Sequence, residues 1–304
     1  MKEVACNLCG ANDARVRFPS TLPVDQSPEA WLAYRCTNSG YGVHSTIVQC
    51  RRCGFIYTNP QLEETAILET YTAVEDPLYI EEREGRVLTF ENHLIPLEQL
   101  TGPPKGRALL DVGAYVGVFV EIAARHGWEA WGVEPSRWAV EQARARGLRV
   151  IPGTTATAEL PPAYFDVVTM WDVIEHLADP MAELRQVWEL VKPGGLVVIH
   201  TMDIDSVTAR LMGERWPFLM EMHIVYFSRQ TLRTMVEKAG FEVVKAHTQG
   251  RYLRLGYLAG RLAALWPPVG RLVEWGVNRL QLQGKTVAVN TLDLFTMYAQ
   301  KTAR

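Results

Sequence analysis

The chain has 304 residues, 48% of them hydrophobic, which is enough for one large domain or two modest ones around a buried core. Acidic residues outnumber basic ones by 34 to 31, which argues against an overall positive field that would draw the protein to nucleic acid. The N-terminal sequence MKEVACNLCGAND lacks the apolar core of a signal peptide, and no uninterrupted apolar run is long enough to cross a bilayer. These features predict a cytoplasmic globular protein.

Residues 1–60 contain all five cysteines, and four of them form two C-x-x-C-G motifs, CNLCG and CRRCG. In a reducing compartment this pattern favours metal binding over disulfides. Four thiolates suit tetrahedral zinc, and each glycine lets backbone amides turn toward the sulfurs. We predict a zinc-binding module over 1–60, with a closed structural zinc site that serves folding or acts as a lid. The predicted ligands are Cys6, Cys9, Cys50 and Cys53.

Alternatives to this zinc site remain open at the sequence level. The motifs also fit a redox pair or four unligated thiols, and Cys36 or His44 would serve as substitute ligands. For Cys36 itself we expect a buried free thiol.

Residues 61–104 are rich in Glu and Leu at helical spacing, which predicts a helical linker. The sequence TGPPKG at 101–106 then breaks the chain, so we place the start of the main domain at 105 and its end at 304.

Within 105–304, apolar strands such as ALLDVG, FDVVTMWD and GLVVIHT alternate with amphipathic helical segments. This alternation predicts a doubly wound, Rossmann-like α/β domain with a seven-stranded, mostly parallel sheet, whose last strand, TLDLFTMYAQK, is a candidate antiparallel strand. The segment 203–228 is predicted to cover the substrate. The segment 250–285 is predicted to be an inserted helical hairpin, split at Pro267 and Pro268.

The first turn of this domain, ALLDVGAYVG at 108–117, occupies the place where open α/β sheets bind ligands. It fails the G-x-G-x-x-G dinucleotide pattern at Tyr115 and Val118, and no G-K-[ST] follows as in a P-loop. Asp111, at the strand end, would repel a pyrophosphate but suits a cofactor that carries ammonium and sulfonium charges, as S-adenosylmethionine does.

Two further strand ends support a nucleoside site without phosphate. Glu134, in GVEPS, follows the second strand, where a carboxylate can accept both hydroxyls of a ribose. Trp171 and Asp172 end the fourth strand, in FDVVTMWDVIEHLADP, where an aromatic ring can pack on adenine or methionine and an acid can bind the cofactor.

The motifs LLDVGAYVG, GVEPS, FDVVTMWDVIEHL and VKPGGLVVI, in this order, resemble those of class I S-adenosylmethionine-dependent methyltransferases. VIEHL is similar to the small-molecule branch that includes ubiquinone-biosynthesis O-methyltransferases. The family usually has glycine where this chain has Tyr115, whose Cβ crowds the turn. The cofactor-binding residues that this resemblance implies are Asp111, Gly113, Ala114, Tyr115, Gly117, Glu134, Pro135, Trp171 and Asp172.

The cysteine module carries a second resemblance. VQCRRCGFIYTNP is similar to the N-terminal zinc ribbon found ahead of some bacterial methyltransferases, including sugar C-methyltransferases that act on nucleotide-linked deoxysugars. That family has a further large C-terminal domain that does not fit in this chain, so the resemblance supports metal binding and leaves the substrate open.

Methyl transfer to an oxygen or carbon needs a base near the strand ends. His176 and His223 are the predicted catalytic residues, with Glu221 a candidate partner for His223, and each histidine has the alternative of a purely structural role. His200 is a weaker candidate. Asp172, Glu175 and His176 form a D-x-x-E-H cluster of a kind associated with a divalent cation in ubiquinone-pathway relatives, so magnesium assistance stays open. The histidines expected outside the pocket are His44, His93, His126 and His247.

The leading hypothesis is a methyltransferase that acts on an oxygen or carbon of a small metabolite, with a sugar or lipid-linked glycan favoured as acceptor. Two alternatives are an RNA methyltransferase that grips RNA with its zinc ribbon, and a non-catalytic scaffold, which Tyr115 favours. Residues 252–282 alternate apolar stretches with arginines. They are expected to pack on the domain or to serve self-association or peripheral membrane contact.

Overall fold

The computed structural model describes residues 1–22 and 34–302. The N-terminal part contains three short strands and three helices. These are β1 (Ala14–Phe18), β2 (Ile47–Cys50), β3 (Ile56–Thr58), α1 (Glu64–Thr72), α2 (Pro77–Glu81) and α3 (Arg83–Thr101).

The main sheet follows, and its elements alternate as the sequence predicts. Its first part comprises β4 (Ala108–Val112), α4 (Val118–Arg125), β5 (Glu129–Glu134), α5 (Arg137–Arg144), β6 (Val150–Pro152), β7 (Phe165–Trp171), α6 (Pro180–Leu190) and β8 (Val191–Met202). The rest of the chain comprises α7 (Val207–Met212), β9 (Val225–Tyr226), α8 (Arg229–Lys238), β10 (Phe241–Thr248), β11 (Arg251–Arg254), α9 (Leu255–Leu265), α10 (Pro267–Arg279), β12 (Thr286–Val289) and β13 (Leu294–Lys301). Of these strands, β10 and β13 join the main sheet, β9 joins the N-terminal sheet, and β11 and β12 form a separate pair.

The seven main strands lie in the order β10-β13-β8-β7-β4-β5-β6. The strands from β8 to β6 pair in parallel, and β13 runs antiparallel to both β8 and β10. This confirms the prediction of a Rossmann-like, mostly parallel seven-stranded sheet. The central strands β4 and β7 are buried almost along their whole length because helices cover both faces.

Capping residues in the sequence mark where the helices α5, α6 and α8 begin. Ser136 caps α5 by accepting from the Ala139 amide at 3.2 Å, and Asp179 caps α6 from the Ala182 amide at 2.8 Å, with Pro180 at the first helical position. Ser228 and Thr231 form a reciprocal capping box at the start of α8. These caps fix where each helix begins and therefore where the loop between strand and helix ends.

The N-terminal strands share their sheet with the main domain. Their sheet has the order β1-β2-β3-β9, so its fourth strand comes from the segment after β8. Phe55 packs on Phe227 at 5.3 Å, and the Lys238 ammonium donates to the Leu8 carbonyl at 2.8 Å. One continuous apolar core, which includes Phe55 and Phe227, therefore joins the cysteine module to the main domain.

The segment 250–285 contains the two helices that the prolines predict, α9 and α10. The strands β11 and β12 were not predicted. They precede and follow the two helices, pair antiparallel with each other, and pack against α3. Gly85 of α3 lies so close to β11 that an added Cβ would stand 2.7 Å from the Tyr252 carbonyl oxygen. Among the described residues, no helix is long and apolar enough to span a membrane.

Candidate cofactor and active site

The carboxyl ends of β4, β5 and β7 lie side by side, because these strands are parallel neighbours in the sheet. All nine residues predicted to bind the cofactor are at this edge. Asp111 is in β4, and the turn that follows holds Gly113, Ala114, Tyr115 and Gly117; Glu134 ends β5 with Pro135 next, and Trp171 ends β7 with Asp172 next.

Two carboxyl groups at this edge are buried without a compensating cation. Asp111 is 3% exposed and accepts a hydrogen bond from the Thr169 hydroxyl at 2.7 Å. Glu134 is 6% exposed and accepts from the amides of Tyr115 at 2.9 Å and Ser136 at 2.8 Å. Among the described residues, neither carboxyl group takes part in an ion pair.

Burial raises the pKa of Asp111 to about 8 and that of Glu134 to about 7. A buried carboxyl group with so high a pKa lacks a nearby positive charge, and a cationic ligand would supply it. A pyrophosphate would instead add negative charge at the same place. The donor set therefore fits S-adenosylmethionine and not a dinucleotide.

The turn after β4 holds a tyrosine in a backbone conformation that favours glycine. Tyr115 has φ 47°, and its ring is buried against Tyr79 at 4.5 Å and Trp138 at 5.9 Å. Tyr115 thus adopts the left-handed backbone conformation that a glycine would adopt without strain. Its backbone amide still donates a hydrogen bond to Glu134. Gly113, with φ 68°, cannot be replaced so simply, since an added Cβ would stand 2.6 Å from a methyl carbon of Val173.

Asp172 is the second non-glycine residue of the edge with a left-handed backbone, with φ 55°. Its carboxylate accepts from the Arg251 guanidinium at 3.2 Å and lies 3.9 Å from His200 Nε2. Burial alone would raise the pKa of Asp172, but the charge of Arg251, together with the nearby histidines, outweighs it and holds this pKa below its usual value. Asp172 is therefore ionised and already paired in the structure.

The two histidines predicted to be catalytic come together beyond the end of β7. His176 lies in a single 3-10 turn after β7, His223 lies in the segment after β8, and their rings are 4.9 Å apart. His176 Nδ1 is 2.9 Å from the Met222 carbonyl oxygen, and His223 Nδ1 is 2.6 Å from that of Phe218. A carbonyl oxygen only accepts, so each Nδ1 carries the proton and each Nε2 keeps its lone pair.

Burial lowers the pKa of both histidines, that of His223 to about 3. Both rings are therefore neutral near pH 7. The partner of His223 is the Phe218 carbonyl and not Glu221, which the sequence suggested, because the short turn before His223 points Nδ1 back along its own segment.

Glu175 completes a group of three possible ligands with His176 and His223. The three ligand atoms lie within 4.8 Å of one another, and Glu175 accepts from the Thr201 hydroxyl at 2.9 Å. Burial and the charge of Asp172 raise the pKa of Glu175 to about 8. Two imidazoles and one carboxylate suit a transition metal better than magnesium, and Asp172, the other acid of the D-x-x-E-H motif, is held by Arg251 instead.

Three site neighbours were missed by the sequence analysis. Tyr71 of α1 places its hydroxyl 2.9 Å from His176 Nδ1, and Arg251 of β11 pairs with Asp172. His93 of α3, expected outside the pocket, packs 4.9 Å from both Trp171 and His200. All three come from segments distant in the sequence, and no local pattern marks them.

The four predicted zinc ligands form one cluster, in which all ligand atoms lie within 4.8 Å of one another. The sulfurs of Cys6 and Cys53 are 3.4 Å apart, and those of Cys9 and Cys50 are 3.6 Å apart. Zinc at about 2.3 Å from each sulfur would give sulfur separations of about 3.8 Å, whereas a disulfide needs about 2.05 Å. Backbone amides of Cys9, Ala11 and Phe55 point at the sulfurs, and Gly10 and Gly54 adopt the left-handed conformation that this requires. The cluster therefore fits a closed tetrahedral zinc site.

Cys36 is exposed, so the expectation of a buried thiol is wrong. The surrounding protein nevertheless raises the pKa of this thiol to about 12, and the charges acting on it include those of Arg86 and Glu134.

A cavity of about 210 Å³ lies elsewhere, between the cysteine module and the start of α6. Asn7, Tyr57 and Asp179 line it, and none of the residues predicted to bind the cofactor or to act as base does so. It therefore plays no part in the site at the strand ends.

The buried carboxyl groups predict how stability depends on pH. An acid whose pKa is higher in the folded state than in the unfolded state stabilises the fold fully below the unfolded pKa, and this stability is lost as pH rises through the folded pKa. Asp111, Glu134 and Glu175 all behave in this way. We expect the melting temperature of the cofactor-free protein to fall by about 5 °C between about pH 6 and about pH 8.5.

Thermal scans across this range test the prediction. Asp111→Asn should make the fall in melting temperature smaller because an amide does not ionise, while Glu134 and Glu175 still titrate. Asp205→Asn, at a site where the side chain is 46% exposed, should leave the slope unchanged. A melting temperature that stays level or rises over this range would contradict the assigned pKa shifts.

The α/β fold and the two buried carboxyl groups at neighbouring strand ends, Asp111 and Glu134, are those of an enzyme of the S-adenosylmethionine-dependent methyltransferase class. Residues 81–246, more than half of the chain, match the family model described as a methyltransferase domain. The chain therefore belongs to this methyltransferase family.

Curated relatives include the ubiquinone biosynthesis O-methyltransferases of Vibrio cholerae and Cereibacter sphaeroides. The first is 35% identical over 107 residues, 32% of this chain and 43% of the relative. The second is 35% identical over 122 residues, 38% of this chain and 49% of the relative. The matched stretch thus spans less than half the length of each.

Among solved structures, a phosphoethanolamine N-methyltransferase of Haemonchus contortus in complex with S-adenosyl-L-methionine aligns with a TM-score of 0.50 and 15% identity. The alignment covers 82% of this chain and 62% of that protein. At this identity the likeness supports the fold alone.

Proposed function

We propose that this protein transfers a methyl group from S-adenosylmethionine to a hydroxyl oxygen of a small acceptor. The observation that carries the proposal is the pair of buried carboxyl groups at neighbouring strand ends. Asp111 has no cationic partner among the described residues and suits a positive ligand group, and Glu134 keeps acceptor capacity for ribose hydroxyls. The relatives named as O-methyltransferases favour oxygen over carbon as the acceptor atom.

Each part of the edge has a distinct role in this proposal. Asp111 faces the positive methionine end of the cofactor, and Glu134 accepts from the ribose hydroxyls with the lone pairs that its two backbone amides leave free. Trp171 and Asp172 border the cofactor. Because the Asp172 carboxylate already pairs with Arg251, the cofactor competes with Arg251 for this carboxylate. The cofactor, when bound, supplies a methyl group on a sulfonium whose sulfur leaves as a neutral thioether.

His176 is the proposed base, because its side chain is 13% exposed at the mouth of the site while His223 is enclosed. The acceptor hydroxyl gives its proton to His176 Nε2 as its oxygen bonds to the methyl carbon and the carbon–sulfur bond breaks. The ring of His223 packs against the ring of His176. The Tyr71 hydroxyl and the Met222 carbonyl bind His176 Nδ1 and fix the orientation of the His176 ring. The negative charge of Asp172, which is ionised in the structure, then favours the protonated ring.

The acceptor class is proposed only as a hydroxyl-bearing small molecule. The sequence favoured a sugar or lipid-linked glycan, but neither O-methyltransferase described above is named for such a substrate. We also propose that Cys6, Cys9, Cys50 and Cys53 bind one structural zinc ion, which the geometry of their sulfurs supports.

The test uses cofactor labelled with carbon-13 at the methyl group, incubated with the purified protein and a low-mass extract of cells. The chemical shift of the new methyl signal distinguishes an O-methyl product from a C-methyl or N-methyl product. Signals of O-methyl groups support the proposal. Labelled product found only on carbon or nitrogen would contradict the proposal.

His176→Asn is expected to lower the turnover rate roughly 100-fold to 10,000-fold and to leave the affinity for the cofactor unchanged, because the base acts only on the acceptor. His126→Asn is the matched control, since His126 lies on the surface and pairs with Glu91 and Glu98. Full turnover in His176→Asn, measured with the acceptor found above, would remove His176 from this role.

A further inference from the structure

The helical hairpin of α9 and α10 presents an apolar surface outward. Its two helices pack closely where Gly270 meets Ala263, since an added Cβ at Gly270 would stand only 2.0 Å from the Ala263 Cα. Glu274 also turns inward, with its carboxylate oxygen 3.7 Å from the Cβ position of Gly260. Gly270 and Glu274 of α10 therefore face α9.

The opposite side of α10 is apolar and exposed. Its side chains are exposed by 53% at Val269, 68% at Leu272 and 66% at Trp275. Trp266 just before the helix is 48% exposed, and Leu280 just after it is 67% exposed. Large apolar side chains grouped in this way on one helix mark an interaction surface. We call this surface the outer face of α10, defined by Val269, Leu272, Trp275 and Leu280.

The charges on the outer side of α10 are positive. Arg271 and Arg279 are exposed beside the outer face, and the single acidic residue of α10, Glu274, faces α9. Two copies of this surface in contact would bring like charges together without an acid to pair them. A negatively charged, apolar partner matches it better.

We propose that the outer face of α10 binds the surface of an anionic lipid membrane. At 13 residues the helix is about 20 Å long, too short to cross a bilayer, and it carries the apolar face and arginine flank of a helix that lies in the interface. Trp266 and Trp275 suit the headgroup region, and the two arginines meet the anionic headgroups.

Membrane binding through α10 would bring the site close to the lipid surface. The strand that leads into the hairpin, β11, begins with Arg251, whose guanidinium contacts Asp172 at the site. The next arginine along, Arg254, binds Glu82 ahead of α3, so the base of the hairpin is fixed to the body of the domain. These two ion pairs connect the base of the hairpin to the strand edge and to the start of α3.

Cosedimentation of the zinc-loaded protein with vesicles tests this proposal. We expect binding to vesicles made of equal parts phosphatidylglycerol and phosphatidylcholine, and little binding to pure phosphatidylcholine. The double variant Leu272→Ser/Trp275→Ser should bind at least about 10-fold more weakly, because two apolar anchors are lost. Arg271→Gln/Arg279→Gln should bind roughly 30-fold more weakly and lose its sensitivity to salt.

The matched control is Val207→Ser/Leu211→Ser, which changes two equally exposed apolar residues on α7, 71% and 83% exposed. It should bind vesicles as the wild type does. Failure of the wild type to bind anionic vesicles, or equal binding by Leu272→Ser/Trp275→Ser, would overturn the proposal. So would a dimer in solution, detected by light scattering, that this same variant dissociates. None of these readouts depends on methyl transfer, so they fail or succeed separately from the proposed function.

Discussion

Asp111→Asn is expected to weaken the binding of S-adenosylmethionine by roughly 100-fold, because the amide cannot supply the negative charge that the cationic cofactor needs. The fold should be unaffected. In the cofactor-free protein the Asp111 carboxyl group is already largely protonated near pH 7, since burial raises its pKa to about 8. An amide oxygen can keep the hydrogen bond from Thr169.

Calorimetric titration of the variant with S-adenosylmethionine measures this effect directly. Asp205→Asn serves as the control, because it removes the same charge from an exposed position on the loop before α7. Equal affinity in Asp111→Asn and wild type would place Asp111 outside the cofactor site. A melting temperature that falls along with the affinity would instead assign Asp111 a structural role.

Cys50→Ser is expected to remove the bound zinc and to lower the melting temperature by more than about 10 °C, because metal binding and folding are coupled at such sites. The effect should reach the main domain. The cysteine module shares its core with Phe227 and Met235, and β3 pairs with β9. Loss of the metal would therefore loosen the segment that holds His223.

Metal analysis and thermal scans check this prediction. Cys36→Ser is the matched control, since Cys36 lies apart from the sulfur cluster, and it should keep one zinc ion per chain. If Cys50→Ser does not fold, treatment of the wild type with a zinc chelator should lower its melting temperature in the same way. Zinc retained at one ion per chain in Cys50→Ser would contradict a site made of the four cysteines.

Much of the main domain follows from local sequence patterns. Runs such as Ala108–Val112 and Phe165–Trp171 are mostly apolar, as strands covered on both faces tend to be, and Ser136, Asp179 and Ser228 mark helix starts. Once strands alternate with helices, the handedness of the crossovers leaves few arrangements of the sheet. The adjacency of Asp111, Glu134 and Trp171 follows from that order.

The parts that were not predicted depend on contacts between distant segments. The pairing of Arg251 with Asp172 joins residues 79 positions apart, and that of Tyr71 with His176 joins residues 105 apart. The strands β11 and β12 are four residues each and gain their order from pairing with each other. No local periodicity encodes such contacts, so His93 and Cys36 were also misplaced.

Tyr115 shows how a departure from a motif can be accommodated. The residue adopts φ 47° and buries its ring against Tyr79 and Trp138, which offsets the strain that a glycine would avoid. The Tyr115 amide still binds Glu134 at 2.9 Å, so the two turns of the predicted cofactor site stay joined. The tyrosine therefore gives no structural reason to favour a scaffold that has lost its ligand.

The most direct measurement is a calorimetric titration of the zinc-loaded wild type with S-adenosylmethionine and, separately, with a nicotinamide dinucleotide. Two buried acids that lack a positive partner should take up one sulfonium compound per chain and leave the dinucleotide unbound. Heat from the dinucleotide alone, or from neither compound, would contradict the account.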